Sequence, residues 1–325
     1  MKAIVCKEHG GPDKLVVEDV PSKPLAAKEV RVKIHACSVN FPDTLIIQGL
    51  YQFKPELPFT PGSDIAGEII EVGSEVKHHQ VGNKVFGLVP IGGYAEEVVA
   101  HSKQVFPLPP GMDYRVGSSF MMAYGTSYHA LKQRANIQPG ETLVVLGASG
   151  GVGLAAVELA KIMGARVIAC ASTDEKLALC KKYGADEAIN YTHENLKNRI
   201  KELTDGKGAD VVYDAVGGPN AEAALRALGW KGRYLVVGFV AGIPSIPLNL
   251  PLLKGCQIVG VFWGSHVGKE SQIHQQNIME LMGMYGSGKL KPHISKTYSL
   301  EEAPKALQDM VDRKVKGKVI ILPFA

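Results

Sequence analysis

The sequence predicts an α/β protein in which a compact, mostly antiparallel β domain is followed by a doubly wound parallel sheet. Three observations predict it. The first third alternates apolar and polar residues with a period of two. From Thr142 onward, continuous apolar runs alternate with amphipathic stretches. One of those runs ends in a glycine-rich turn, GASGGVG, at 147–153.

In the first third, EVRVKIHA places Val30, Val32, Ile34 and Ala36 on one face and Arg31, Lys33 and His35 on the other. A strand with one buried face requires that alternation. Runs at KAIVC, DIAGEIIEVG, NKVFGLV and YAEEVVA, separated by Gly or Pro, predict further short strands. The texture changes near Pro110–Met122. Beyond it the predicted strands are TLVVLG, ARVIACA, EAIN, DVVYDAV, RYLVVGF and CQIVGVFW, with helices such as DEKLALCKKYG and PNAEAALRALG between them. Apolar strands joined by helices predict a parallel sheet covered on both faces, and six is a Rossmann-type count. After Gly264 come a helix, a short strand around His293–Tyr298, a helix opened by Ser299 with Glu302 at capping-box spacing, and a last strand, KGKVIILPF. Patterning leaves open whether these extend the sheet or return to the first domain.

A chain of 325 residues is long enough for two domains with cores of their own. The formal charge of +4 is small and its Lys and Arg residues are scattered, which argues against nucleic acid as a partner. Five cysteines, widely separated and without a CxxC pair, predict idle thiols in a reducing, cytoplasmic setting. No charged side chain lies between Arg233 and Lys254, but Pro244, Pro247 and Pro251 would break a spanning helix there. A buried strand followed by a loop is expected, and no membrane. The N-terminus has no long apolar segment of the signal-peptide kind.

The glycine turn is the strongest local signal. An apolar strand runs into Gly147, Gly150, Gly151 and Gly153 and then directly into a helix of small residues. Glycine lets backbone approach a pyrophosphate without a Cβ clash, and the helix N-terminus offers N–H groups and a positive dipole end. Ordinary turns are glycine-rich too, but here both flanks are correct for a dinucleotide. No Gly-Lys-Ser/Thr follows, which disfavours nucleoside triphosphates. The second strand ends at Ala171 and Ser172, where an NAD site carries an acid for the ribose diol. Asp174 comes later, as an expected N-cap, and Lys176 one turn on could reach a 2′-phosphate. The pattern favours NADP, although a plain surface lysine would have the same spacing.

No HExxH or paired-cysteine pattern is present, and no nucleophilic serine elbow is expected. His78 and His79 are expected to be exposed, and Cys37 to be a buried small thiol. The chemistry is therefore expected from the cofactor.

The motifs SVNFPDTLIIQGLY, PFTPGSDIAGEIIEVG, GGYAEEVV, AYGTSYHAL, GASGGVG, GADEAINY and GVFWG span the chain. With them the sequence resembles the medium-chain dehydrogenase/reductase superfamily, and within it the zinc-independent quinone oxidoreductase, ζ-crystallin-like branch. The zinc-containing alcohol dehydrogenases of that superfamily have a cysteine where this chain has Asn40, and Gly-His-Glu where it reads Gly62, Ser63 and Asp64. The resemblance thus implies no metal. It implies a Rossmann-type sheet, 125–264, inserted into a GroES-like, mostly antiparallel catalytic domain formed by 1–124 and 265–325.

By the same resemblance, Asn40 and Thr126 lie near the nicotinamide, and Gly150, Gly151, Val152 and Gly153 at the pyrophosphate. Ser172, Lys176 and Tyr191 surround the 2′-phosphate, and Phe239, Phe262 and Trp263 line the nicotinamide half. Tyr51 faces the substrate, as catalytic partner to Asn40. Leu45 replaces a tyrosine of some bacterial members, which makes the acceptor pocket more apolar. The implied activity is NADPH-dependent reduction of a quinone or activated alkene. An enoyl-thioester reductase and a non-catalytic NADPH-binding protein are the rivals. Homodimers through the edge strand of the nucleotide domain are usual in the branch, and CQIVGVFW is the candidate edge.

Overall fold

In the computed structural model, which describes residues 1–325, two units separate: Met1–Met122 with Pro292–Ala325, and Ala123–Lys291. The first unit opens with the antiparallel pair β1 (Lys2–Cys6) and β2 (Leu15–Asp19). It continues with β3 (Glu29–Val39), α1 (Phe41–Ile47), β4 (Asp64–Val72), β5 (Lys84–Leu88), β6 (Glu97–His101), β7 (Val105–Pro107) and α2 (Tyr114–Ser118). The alternation read from 29–36 is present, with Val30, Val32, Ile34 and Ala36 fully buried. The strand then runs on through Cys37, Ser38 and Val39, where both faces are buried and the alternation ends.

α3 (Phe120–His129) carries the chain into the second unit, which contains β8 (Thr142–Leu146), α4 (Gly151–Ile162), β9 (Arg166–Ala171), α5 (Asp174–Lys182) and β10 (Glu187–Asn190). It goes on through α6 (Leu196–Leu203), β11 (Ala209–Asp214), α7 (Asn220–Arg226), β12 (Leu228–Val236), α8 (Asn249–Lys254), β13 (Gln257–Gly260), α9 (Trp263–Lys269) and α10 (Ser271–Gly286). Its six strands are all parallel, in the order β10-β9-β8-β11-β12-β13. That is the Rossmann order, with the first strand, β8, central. The chain then returns to the first unit with β14 (Ile294–Ser299), α11 (Ala303–Val311) and β15 (Lys318–Leu322).

In the first unit the sheet order is β14-β15-β3-β4-β5-β7, with β6 also on β3. Every pairing is antiparallel except β14 with β15. β15 pairs the far end of β3, with Val319 opposite Val39 and Ile320 opposite Ser38, while Ser38 faces Asp64 of β4 on the other side. This register gathers the polar groups described below.

Several expectations need correction. The units divide at Lys291 and Pro292, so α9 and α10 go with the nucleotide sheet, although the resemblance gave the chain from 265 to the first domain. CQIVGVFW is a strand only to Gly260; Phe262 caps α9 and Trp263 opens it. His79 is buried, its Nε2 at 3.0 Å from the carbonyl of Ser102. The Ser299–Glu302 box is made reciprocally, at 3.2 and 3.3 Å, but one turn ahead of α11. All five cysteines are free, and no helix is long and apolar enough to cross a membrane.

Close packing of α4 on the end of β8 depends on Gly153. A Cβ there would sit 2.2 Å from the carbonyl oxygen of Gly147. Gly153→Ala is therefore expected to lower stability by about 1–3 kcal/mol, the usual cost of overpacking. Urea unfolding of the variant beside wild type measures it.

Candidate active site

Strand β8 delivers the chain into Gly147 at φ +69°, a conformation that residues with a Cβ rarely adopt. A Cβ there would also come within 2.8 Å of Val216 Cγ2. The turn ends at Gly150, in extended conformation at the N-cap of α4, with no side chain bonded over the helix end. Gly151, Val152 and Gly153 thus start a helix whose first-turn N–H groups face no capping side chain. Backbone donors and the dipole make this a cradle for phosphate oxygens, and the residues fit a dinucleotide.

At the end of β9, three predicted residues converge from three elements. Lys176 Nζ, on α5, donates to Ser172 Oγ at 3.4 Å. Tyr191 N donates to the carbonyl of Ala171 at 3.2 Å, and Thr192 Oγ1 to that of Ser172 at 2.9 Å. Asp174, the nearest acid, is engaged elsewhere, since its Oδ1 accepts from Asn190 Nδ2 at 2.7 Å. It is not the N-cap either. Thr173 caps α5, its Oγ1 accepting from Lys176 N at 3.3 Å.

The remaining predicted residues of this unit lie in two places. Thr126 is buried in α3, and its neighbour Gly125 lies so close to Trp263 that a Cβ would meet Cζ2 at 2.6 Å. Trp263 is 4% exposed, whereas Phe262 beside it is 53% exposed. Phe239 packs on the Gly217 turn. That turn is tied down by Asp214, whose Oδ1 accepts from Val216 N and Gly217 N, both at 2.8 Å, and whose Oδ2 accepts from the Tyr234 hydroxyl.

In the first unit, Asn40 follows the last residue of β3 and caps α1. Its N–H donates to Asp43 Oδ2 at 2.8 Å, and the same carboxylate oxygen accepts from the Tyr94 hydroxyl at 2.7 Å. The Asn40 carboxamide turns to Lys318, whose Nζ donates to Oδ1 at 2.5 Å. Asn40 Nδ2 in turn donates to the carbonyl and the hydroxyl of Ser38, each at 3.3 Å. Ser38 Oγ donates to Asp64 Oδ2 at 3.1 Å. Burial, opposed by these donors, pushes the carboxyl of Asp43 up to about 6 and that of Asp64 up to about 7. Burial also pulls the Lys318 ammonium below its ordinary value. Tyr51, half-buried against the same core, is pushed up by burial and then by Asp43.

Comparison with known proteins decides the family. Residues 26–110 match the family described as alcohol dehydrogenase GroES-like domain, and residues 151–281 match zinc-binding dehydrogenase. A quinone oxidoreductase-like protein 2 homolog of Nematostella vectensis is 42% identical, over 98% of this chain and 88% of its own. The rat quinone oxidoreductase is 36% identical, over 99% and 98%. The crystal structure of Escherichia coli quinone oxidoreductase complexed with NADPH superposes with a TM-score of 0.94 at 29% identity, covering 99% of this chain and all of the other. The chain belongs to the quinone oxidoreductase family of the medium-chain dehydrogenase/reductase superfamily.

One of the two matched families is named for zinc, but the donors around Asn40 do not suit that ion. Zinc favours thiolate, imidazole and carboxylate. Here the amide oxygen is held by an ammonium at 2.5 Å, and the same ammonium stands 3.9 Å from Asp64. Burial keeps Cys37 a thiol well above its ordinary value. In the other unit of this quinone oxidoreductase relative, His129, His266 and Glu270 bring three ligand atoms within 4.8 Å of one another. Their imidazoles stack face to face, with centroids 3.9 Å apart and planes 19° apart. Lone pairs in stacked rings run side by side, so the rings would have to fan apart to share an ion. Burial, then His266, holds His129 down to about 4, and the stack ties α3 to α9.

Sequence reasoning missed Ser38, Asp43, Tyr94 and Lys318, and treated Asp64 only as a place where a ligand is lacking. The one signal was a lysine opening the apolar run KVIIL, which reads equally as a strand end. Asp43 supplies a test of the network. Its carboxyl titrates near 6 in the fold and near ~3.9 in an unfolded chain, so its burial subtracts stability as pH rises from about 4 to about 6. Tyr94→Phe removes a donor to the ionised form. The variant is expected to lose about 1–2 kcal/mol relative to wild type at pH 8 and less at pH 5, by urea unfolding at both.

Proposed function

We propose that the protein is an NADPH-dependent, zinc-independent reductase that passes hydride to a quinone or to an alkene conjugated with a carbonyl. The observation that carries this reading is the end of β9, where Ser172 and Lys176 stand in place of an acid, beside the glycine turn that opens α4. A 2′-phosphate would draw on the Lys176 charge and the Ser172 hydroxyl, with Tyr191 alongside. The NADPH complex of the E. coli relative supports the same choice.

NADPH, when bound, supplies the hydride. The chain binds and orients. Backbone N–H groups of Gly150, Gly151, Val152 and Gly153 hold the pyrophosphate, and Thr126, Phe239, Phe262 and Trp263 hold the nicotinamide half. Asn40 serves the reacting end. Tyr51 keeps its proton at neutral pH, because burial and Asp43 push the phenol up, and it can give that proton to the reduced acceptor. A donor set unsuited to zinc leaves no Lewis acid to activate a plain ketone, so the acceptor has to be electrophilic already. Strand β13 is a sheet edge with Ile258 41% exposed and Leu252 and Leu253 exposed nearby, an apolar face that a second copy would cover in a homodimer.

The test is NADPH oxidation by chelator-treated protein with an ortho-quinone, a 2-alkenal and an enoyl-CoA in parallel. Quinone-dependent turnover that survives chelation is expected. Turnover with enoyl-CoA alone would replace this reading with a thioester reductase, and binding without turnover would leave a cofactor-binding protein. Lys176→Ala is expected to raise KM for NADPH tenfold or more while leaving KM for NADH within about twofold, since one charge-assisted contact is worth about 1.5–3 kcal/mol. Equal effects on both cofactors would remove Lys176 from the 2′-phosphate.

A further inference from the structure

An N-cap asparagine ordinarily turns its side chain onto the helix it caps. The measured bonds of the Asn40 carboxamide run to Lys318 and Ser38. Asp43 holds the helix end by accepting from the Asn40 N–H, and the carboxamide reaches Lys318 and Ser38. An ammonium has three donors and no acceptor, so only Oδ1 can face it. The lysine therefore decides which end of the carboxamide points where.

Ion pairing does not account for the aim of Lys318. The residue is 5% exposed, in a strand whose next residues, Val319, Ile320 and Ile321, are buried. An apolar side chain would fill the place without the desolvation that a buried charge carries. Its Nζ lies 3.9 Å from Asp64 Oδ2 but 2.5 Å from Asn40 Oδ1. Asp64 Oδ2 accepts instead from Ser38 Oγ and from Met122 N, at 3.1 and 3.3 Å, and Oδ1 has no partner. Asp64 balances the charge while the directed bond goes to the amide. The two contacts of Asn40 Nδ2 are both to Ser38 and both long, at 3.3 Å, so a substrate oxygen at shorter range can displace them.

We propose that Lys318 is a positioning residue for the reduction: it holds the Asn40 carboxamide with Oδ1 inward, so that the Nδ2 edge is the one offered to the reacting groups. The proposal rests on the reading that Asn40 serves the reacting centre.

Three measurements test it on the full chain. The first is turnover with the ortho-quinone. Lys318→Met is expected to lower kcat tenfold or more with KM for NADPH within about twofold, and Lys318→Gln, which keeps a donor, to recover at least a third of wild-type kcat. The second is the double variant Asn40→Ala with Lys318→Met, expected to be no slower than Asn40→Ala alone, because the lysine acts through the amide. The third needs no turnover. In protein labelled with 15N at asparagine, the Asn40 side-chain NH2 signal, identified by its loss in Asn40→Ala, is expected to shift and broaden in Lys318→Met and to return in Lys318→Gln.

Thermal unfolding of each variant verifies the fold, and Lys318→Gln carries the comparison if Lys318→Met does not fold. Additive losses in the double variant, wild-type kcat in Lys318→Met, or an unmoved NH2 signal would each overturn the proposal. Wild-type turnover in Asn40→Ala would overturn it as well. If no acceptor is reduced by wild type, the reductase reading fails; an NH2 signal that still depends on Lys318 then upholds the positioning of the amide by itself.

Discussion

Taking the Lys318 ammonium out of water removes several kcal/mol of hydration, and the register of three strands restores what the ion loses. β15 lies antiparallel to β3 with Val319 opposite Val39, so one step further along the same register sets Lys318 opposite Asn40. On the other side of β3, Ser38 is opposite Asp64 of β4. The ammonium therefore meets an amide oxygen in one direction and a carboxylate in another, and a serine joins the two. A slip of one residue in either pairing would turn these side chains to the other face and leave the charge unanswered. The polar network and the register thus specify each other.

The second unit puts bare backbone at its glycine turn, with Gly147 in a conformation that glycine tolerates and α4 starting at a glycine that leaves the helix end uncapped. The contact that limits this design is steric. Gly153 lets α4 approach the Gly147 carbonyl, so strand, turn and helix are held at one spacing. Side chains enter only at the edge of β9, where Ser172, Lys176 and Tyr191 gather and Asp174 is drawn off by Asn190. The nearest acid is thus held by a hydrogen bond from Asn190.

What could be read from the chain follows from how local each signal is. The period-two alternation of 29–36 and the apolar runs TLVVLG and ARVIACA are set by neighbours along the chain, and their strands formed close to the expected limits. GASGGVG is legible because turn, strand and helix are contiguous. CQIVGVFW was read too long because an apolar run does not distinguish a strand from the start of a buried helix, and Trp263 packs on Gly125 of α3 and His274 of α10. His79 was misread because its burial comes from Ser102, 23 residues on. Lys318 lay beyond reach for the same reason: it is 278 residues from Asn40, and only strand pairing brings the two together.

Asn40 shows how one residue can be released from a structural duty to take another. At the start of α1 the N-cap position needs an acceptor for exposed N–H groups and some hold on its own N–H. Asp43 supplies that hold and is itself fixed by Tyr94, which is fully buried. Burial makes ionised Asp43 costly, and the two donors it receives are what keep it usable as an acceptor. The helix end is thus secured from its third residue, and the carboxamide answers Lys318. The placement of Asn40 therefore depends on Asp43, Tyr94, Lys318, Ser38 and Asp64, all of which lie within the same unit.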